Sequence, residues 1–376
     1  MTAADADFAS WRAGFYQRAL AQGIAPTTLS AALVDLQPLP EVLDKDRAQA
    51  EFTLTVRDYL DRVLTPARIM AGQAALARHA DLFARLEAHF GVERAILAAI
   101  WGIETSYGQN RGTQPLLSAL ATLAHDGRRA AFFEGECLAA LRLADRCGID
   151  PSRLSGSWAG ASGHMQFMPS SVLAHALDFD GDGRIDLWSD DPADALASAA
   201  AYLRHFGWHA GEAPITRAHP SPVFDPYCSG RAHRLTLTGW QARGVGADPG
   251  TAGEDLALIL PAGHDGPGFF WGPNADVLAR YNGSESYVLA VALLAARLAG
   301  RPVPDLVWPL HDRALSASEK REVQERLAAL GHDPGGADGR IGPNTVRALK
   351  DWQRAVGLPA DGHPTAALLD RLRQKG

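Results

Sequence analysis

Cysteine is scarce in this 376-residue chain, and the three present, Cys137, Cys147 and Cys228, are odd in number and scattered. They make neither a disulfide framework nor a zinc spacing. Long apolar runs are missing: none approaches the ~20 residues that a membrane span needs. A basic excess is missing too, since the formal charge is -7, and with it the electrostatic footprint of a nucleic-acid binder. The opening MTAADADFASWRAGF has neither a basic n-region nor an apolar h-region, so it does not read as a signal peptide. What remains is the composition of a soluble globular protein, 47% hydrophobic and 21% charged, over a length that suggests two or three domains.

What is there centres on Ala95–Gly108, AILAAIWGIETSYG. Ile96, Leu97, Ile100, Trp101 and Ile103 leave almost no polar side, and a helix apolar all round is a buried one. The run ends in a single carboxylate, Glu104. A carboxyl carried to the mouth of a cleft by a buried helix loses hydration, which favours its protonated form and suits it to general-acid work. A solvated Glu at a helix end is the plain alternative, and other blocks of the chain have to decide between them.

Two of those blocks carry chemistry. In Gly156–Ser171, GSWAGASGHMQFMPSS, three glycines permit close backbone approach to a ligand, while Ser157, Ser162, His164 and Gln166 offer neutral groups suited to amides and hydroxyls. No nucleophile motif accompanies His164, which reads as a loop residue. In Asp178–Asp194, DFDGDGRIDLWSDDPAD, Asp178, Asp180 and Asp182 fall at positions one, three and five of a calcium-type loop, with Gly183 at six for the turn. Arg184 offers its carbonyl at seven, and Asp186 sits at nine. Ser189 stands at twelve, where such loops place a bidentate Glu, so Asp190, Asp191 or Asp194 has to complete the shell. The spacing points to structural calcium.

Around these blocks the periodicity predicts a scaffold of helices: the N-terminal part to Phe90, including Phe52–Leu64 and Ile69–Phe90, then Leu116–Ala124, Ala130–Asp145 and Pro192–Phe206. Trp11 and Phe15 read as core. His125–Arg129 reads as a polar loop between helices. The 212–272 stretch is rich in Pro and Gly, and Leu256–Leu260 with Phe269–Trp271 reads as a hairpin within a small β subdomain. Tyr281 and Asn282 precede a helix that starts at Tyr287, and all three suit either packing or sugar contact. A Pro-rich linker, 301–313, leads to a three-helix module at 314–376, in which DGRIGPNT (Asp338–Thr345) is echoed by DGHPT (Asp361–Thr365). Trp352 is placed in that module's core.

Together the aromatic N-terminal helix, IWGIETSYG, GSWAGASGHMQFMPSS, DFDGDGRIDLW and RYNGSESY resemble the lytic murein transglycosylase B family, from Phe8 to about Gly300. VQERLAALG, DGRIGPNTVRALKDWQ and GLPADG resemble a small peptidoglycan-binding module. The resemblance implies a mainly α fold: a lysozyme-like catalytic core with a helical N-terminal region and a small β subdomain (1–300), plus the separate C-terminal module. It implies one catalytic carboxyl, at Glu104, and substrate contacts at Ser157, Gln166, Tyr281, Asn282 and Tyr287. It also implies a calcium loop using Asp178, Asp180, Asp182 and Arg184, with Asp194 favoured as the last ligand. The implied partners are peptidoglycan glycan strands and cell-wall synthesis or lysis machinery, in the periplasm, although no lipobox cysteine is present. The expected reaction is non-hydrolytic cleavage of the MurNAc–GlcNAc bond. A hydrolysing muramidase, which needs a second carboxylate, and a non-catalytic wall-binding scaffold are the rivals.

Overall fold

The computed structural model describes residues 3–47, 54–303, 305–310 and 313–375. Phe52, and residues 304 and 311–312 of the 301–313 linker, lie outside the described residues. The chain forms two compact units, Met1–Gln49 with Met70–His205, and Ala50–Ile69 with Phe206–Gly376. Among the described residues no helix is long and apolar enough to cross a membrane. All three cysteines are free thiols.

The first unit is helical. Its helices are α1 (Ala3–Ala21), α2 (Pro26–Leu33), α3 (Pro40–Arg47), most of α5 (Pro66–Arg78), α6 (Ala80–Phe90), α7 (Arg94–Thr105), α8 (Leu116–His125), α9 (Ala130–Cys147), α10 (Pro169–His175) and α11 (Ala193–His205). Phe15, Leu29 and Leu36 join Leu116, Leu120, Phe133 and Leu141 in one apolar core, with Trp11 packed against it. The single amphipathic helix expected over Ile69–Phe90 is two helices, α5 and α6, broken at His79 (φ −111°, ψ 32°). The break turns the His79 ring edge-on to Trp101, with centroids 5.8 Å apart.

Helix α7 is the buried element. Every residue from Ala95 to Gly102 is buried. The helix stops because Ser106 (φ 50°) and Tyr107 (φ 60°) turn left-handed. The Ser106 amide then reaches the Gly102 carbonyl (3.2 Å) and the Tyr107 amide the Trp101 carbonyl (3.3 Å), a paired C-terminal cap. A two-residue ladder follows, β1 (Gln114–Pro115) against β2 (Ser155–Gly156), antiparallel with Gln114 opposite Gly156. It ties the chain leaving α7 to the start of the glycine-rich block.

The second unit contains α4 (Val56–Val63) and an antiparallel five-stranded sheet, ordered β4 (Arg234–Leu235), β6 (Leu256–Ile259), β7 (Gly268–Trp271), β3 (Ile215–Pro220), β5 (Val245–Ala247). The expected hairpin is its centre, with Leu258 opposite Phe270 and every β6 and β7 residue buried. Helices α12 (Leu237–Gln241), α13 (Pro273–Tyr281) and α14 (Glu285–Leu298) accompany it. The C-terminal segment folds as α15 (Ala317–Ala329), α16 (Pro343–Ala355) and α17 (Ala366–Lys375) around Val323, Leu349, Trp352 and Leu369. A polar seam joins α16 to the turn Pro226–Cys228. The buried Lys350 ammonium donates to the carbonyls of Tyr227 (3.1 Å) and Ser229 (2.6 Å), and the Tyr227 hydroxyl donates to Asp351 (2.9 Å). The Arg354 guanidinium lies over the Tyr227 ring at 3.6 Å.

Candidate active site

Glu104 is the penultimate residue of α7 and half-buried, the end of a helix whose other faces are committed to core. Its neighbours on both sides are held by His164. Trp101, one turn earlier, donates its indole N–H to His164 Nδ1 (3.1 Å), and Thr105 donates its hydroxyl to the His164 carbonyl (2.7 Å). The Thr105 hydroxyl in turn accepts the Gly108 amide (3.0 Å). Gly108 sits at φ +85°, and a Cβ there would come within 2.6 Å of the His164 ring, so only glycine lets the two loops approach.

The chain leaving α7 then forms one wall of an open cleft of about 570 Å³, lined by Gln109, Asn110, Arg111, Thr113, Ser155 and Trp188 among others. Arg111 ties this wall to the end of the acidic loop: Nη1 donates to the Trp188 carbonyl (3.0 Å) and to that of Ser189, while Nη2 pairs with Asp190 (2.8 Å). A Cβ on Gly112 would sit 2.2 Å from the Gly156 carbonyl carbon, which is how closely the two walls meet. Among the described residues, the non-glycine positions with positive φ are Ser106, Tyr107 and Gln166, all in these two walls. Such backbone costs about 1–3 kcal/mol a residue and persists where surrounding structure enforces it, commonly at functional sites.

Of the residues singled out in the sequence, Glu104, Ser157 and Gln166 belong to this unit and to these loops. Ser157 turns its own loop: its amide donates to the Ala161 carbonyl (2.7 Å) and its hydroxyl accepts the Ala161 amide (3.2 Å). Gln166 gives its amide nitrogen to the carbonyls of Arg111 (3.1 Å) and Gly163 (3.0 Å), stapling the walls together. Tyr281, Asn282 and Tyr287 lie in the other unit. Asn282 caps α13 and accepts the Ser284 amide (3.0 Å). Tyr287 is 1% exposed, which leaves its ring no open face for stacking on a sugar. In the 125–129 loop, His125 meets Asp7 (3.0 Å), and Arg128 and Arg129 both reach Asp46, so its charges are spent on structure.

The acidic loop brings Asp178, Asp180 and Asp182 together, with one oxygen from each within 4.8 Å of the others. Hard carboxylate oxygens at that spacing fit a calcium-type ion. The Asp182 amide works to lower the Asp180 pKa, but burial and the charges of Asp194, Asp182 and Asp178 outweigh it and leave it raised. A bound cation relieves that repulsion. Asp194 does not join the three. Buried at the start of α11, it accepts the amides of Phe179 (2.7 Å), Asp180 (3.4 Å) and Asp186 (3.0 Å), closing the loop from beneath instead of facing the cluster. The family resemblance favours Asp194 as the last ligand, but those amides give it a supporting role here.

Three residues of the site stand outside the sequence motifs: His164, which reads as a loop residue, Arg111, and Trp188, which in the sequence only marks the end of the acidic loop. The signal for His164 is Gly108, whose missing Cβ leaves room for its ring.

Residues 7–296 match the family model described as the transglycosylase SLT domain, and residues 316–372 match a peptidoglycan binding domain. The chain is 34% identical over 244 residues to the membrane-bound lytic murein transglycosylase B of Escherichia coli (strain K12), a match that spans 64% of this chain and 66% of that one. It is similar along 97% of its length, at 44% identity and a TM-score of 0.92, to SltB3 from Pseudomonas aeruginosa, solved with NAG-anhNAM-pentapeptide and covered to 99%. It also resembles the Escherichia coli lytic transglycosylase Slt35 in complex with calcium, at 31% identity and a TM-score of 0.68, over 77% of this chain and 92% of that one.

Proposed function

The chain belongs to the lytic transglycosylases of the SLT-domain family, enzymes that act on peptidoglycan, and on that premise we propose that Glu104 is its one chemical carboxyl, acting first as acid and then as base. The observation that carries this is the distribution of acids. Neither of the two stretches that lead into the cleft, residues 105–113 after Glu104 and 155–171, contains an Asp or Glu. The acids of the adjoining loop are otherwise engaged, Asp190 with Arg111 and Asp194 with three amides.

A glycosidase that finishes with water needs a second carboxyl, ~5 Å away as nucleophile or ~6.5–9.5 Å away as base. With one, the same group has to move both protons. Protonated Glu104 gives its proton to the oxygen that leaves as the GlcNAc hydroxyl, and positive charge develops at the muramyl anomeric carbon. The carboxylate so formed takes the proton of the muramyl O6 hydroxyl, whose oxygen closes on that carbon. The glycosidic bond breaks, the intramolecular C–O bond forms, and a 1,6-anhydro-MurNAc end results with no water incorporated. Ser157 and Gln166 brace their loops through the contacts above, and Tyr281 and Asn282 are assigned to glycan contact, whereas Tyr287, 1% exposed, serves packing. Asp178, Asp180 and Asp182, with the Arg184 carbonyl, hold structural calcium. The substrate implies the periplasm.

Digestion of purified sacculi in heavy-oxygen water, read by mass spectrometry, tests the chemistry. Unlabelled anhydro ends are expected, and none from a folded Glu104→Gln variant, whose amide has no proton to give. Labelled reducing ends as the main product make the protein a hydrolase with a second acid. A folded Glu104→Gln variant that still cuts removes Glu104 from the mechanism, and a folded wild type that only binds sacculi makes it a scaffold.

A further inference from the structure

We propose that His164 is the positioning residue for the catalytic carboxyl, and that it holds Glu104 at the cleft only as the neutral imidazole protonated at Nε2. The proposal rests on the Glu104 reading above. Trp101 and Thr105, three residues before and one after Glu104, both bond to His164, Trp101 to its ring and Thr105 to its backbone carbonyl.

The bonding determines the tautomer. An indole N–H can only donate, so Nδ1, 3.1 Å from it, accepts and carries no proton. A neutral imidazole has one N–H, which must therefore be at Nε2, and the Ser189 carbonyl stands 2.7 Å away to receive it. Arg111 Nη1 lies 3.2 Å from the same nitrogen and is occupied with the carbonyls of Trp188 and Ser189. A second proton on the ring would go to Nδ1, where it meets the Trp101 N–H donor to donor. The ring is 3% exposed, so water cannot take over the lost bond.

The charged and titratable groups facing the ring from its surroundings are Arg111, Asp190 and Asp186, with His79 across the Trp101 ring. Burial lowers the His164 pKa, the Ser189 carbonyl works against that, Arg111 adds to the lowering, and Asp190 and Asp186 oppose it; the net direction is down. His164 is thus neutral at neutral pH and, when acidified, loses its ring's bond to Trp101 while the Thr105 bond to its carbonyl stays.

This separates the two sides of the pH profile. Glu104 must begin protonated, so its ionisation cuts activity on the alkaline side. His164 must be neutral, so its protonation cuts activity on the acid side. The test measures kcat and KM against pH on soluble GlcNAc–MurNAc chains for wild type, His164→Leu, His164→Asn and Trp101→Phe, with thermal unfolding as the folding check. Misplacing a catalytic group by about 1 Å costs on the order of 10²-fold, so His164→Leu should lower kcat by roughly that factor with KM little changed. His164→Asn keeps an acceptor where Nδ1 was and has nothing to titrate: it should recover most of kcat and lack the acid-side fall. Trp101→Phe removes the bond that His164 protonation would break, so it should lower kcat at all pH and, like His164→Asn, lack the acid-side fall.

Nitrogen-15 spectra of wild type near neutral pH give a readout independent of activity, expected to show His164 protonated at Nε2 alone. A proton on Nδ1 instead, an acid-side fall that persists in folded His164→Asn, or a His164→Leu loss confined to KM each overturns the proposal. Should the leucine variant not fold, the asparagine profile and the wild-type spectrum decide. Activity remaining in Glu104→Gln would sink the Glu104 reading but leave the tautomer and the acid-side result as measured, so the two failures are distinguishable.

Discussion

The dipeptide Asp-Gly closes turns in both the acidic loop and the C-terminal module, and the two settings treat the same carboxylate oppositely. Locally the turns are alike. Asp180 accepts the amide two residues on (3.0 Å), as Asp338 (2.9 Å) and Asp361 (2.9 Å) do. In the module a buried glutamine brackets each turn. Gln324 donates to Asp338 (3.0 Å) and accepts the Gly339 amide (2.8 Å); Gln353 donates to Asp361 (2.8 Å) and accepts the Gly362 amide (2.8 Å). The weak repeat DGRIGPNT/DGHPT is therefore a repeated bracket. Its carboxylates are held low: Asp338 chiefly by Gln324, and Asp361 against burial by His264, the His363 amide and Gln353. Asp180 goes the other way, because its neighbours are more carboxylates. A turn supplied with a protein donor is structure; a turn that gathers like charges fits the proposed cation.

The sharpest way to break this comparison is to remove the bracket. Gln353→Ala leaves the Asp361 side chain, 6% exposed, without one donor and the Gly362 amide without its acceptor. A loss of about 3 kcal/mol is expected, since a hydrogen bond to a buried charge and an unmet amide both count. Chemical denaturation measures it, and an unchanged midpoint would mean the bracket holds nothing.

Calcium should act on the other turn alone. At free calcium a hundredfold above its dissociation constant the stabilisation is about 2.7 kcal/mol. Melting curves of fully demetallated protein with and without calcium should differ, and the difference should vanish in Asp180→Ala/Asp182→Ala. Equal shifts in wild type and the double variant would place the ion elsewhere.

The smallest effect is the sign of the acid response. Asp361 has a lowered pKa, so its contribution is present above the ordinary carboxylate value and lost as pH falls through its folded value. Asp180, raised, does the reverse, its ionised form weighing against the metal-free fold. Asp180→Asn should therefore melt slightly higher than wild type at neutral pH without calcium, and the gap should close on acidification. A lower melting temperature for that variant would reverse the reading of the cluster.

Much of this was legible in the sequence where the governing forces are local. The all-round apolar run of α7 could only be buried, the β6/β7 hairpin followed from two short β-like runs flanking a glycine turn, and the spacing of Asp178, Asp180 and Asp182 brought their oxygens together. The helix break at His79 was not legible, because its ring is placed by Trp101, which lies far along the chain. Neither was the seam between Lys350 and the carbonyls of Tyr227 and Ser229, more than a hundred residues apart in sequence.

The sequence by itself determined the elements, the acid at the end of α7 and the turn chemistry of each Asp-Gly, since periodicity, side-chain branching and neighbouring amides act over a few residues. Only the tertiary structure decided which carboxylates meet a donor and which meet one another, that Tyr287 is buried, and that His164 anchors the helix end beside Glu104. Those outcomes depend on which groups distant in the chain exclude water from each other, and burial of a polar group is what forces it to find a partner.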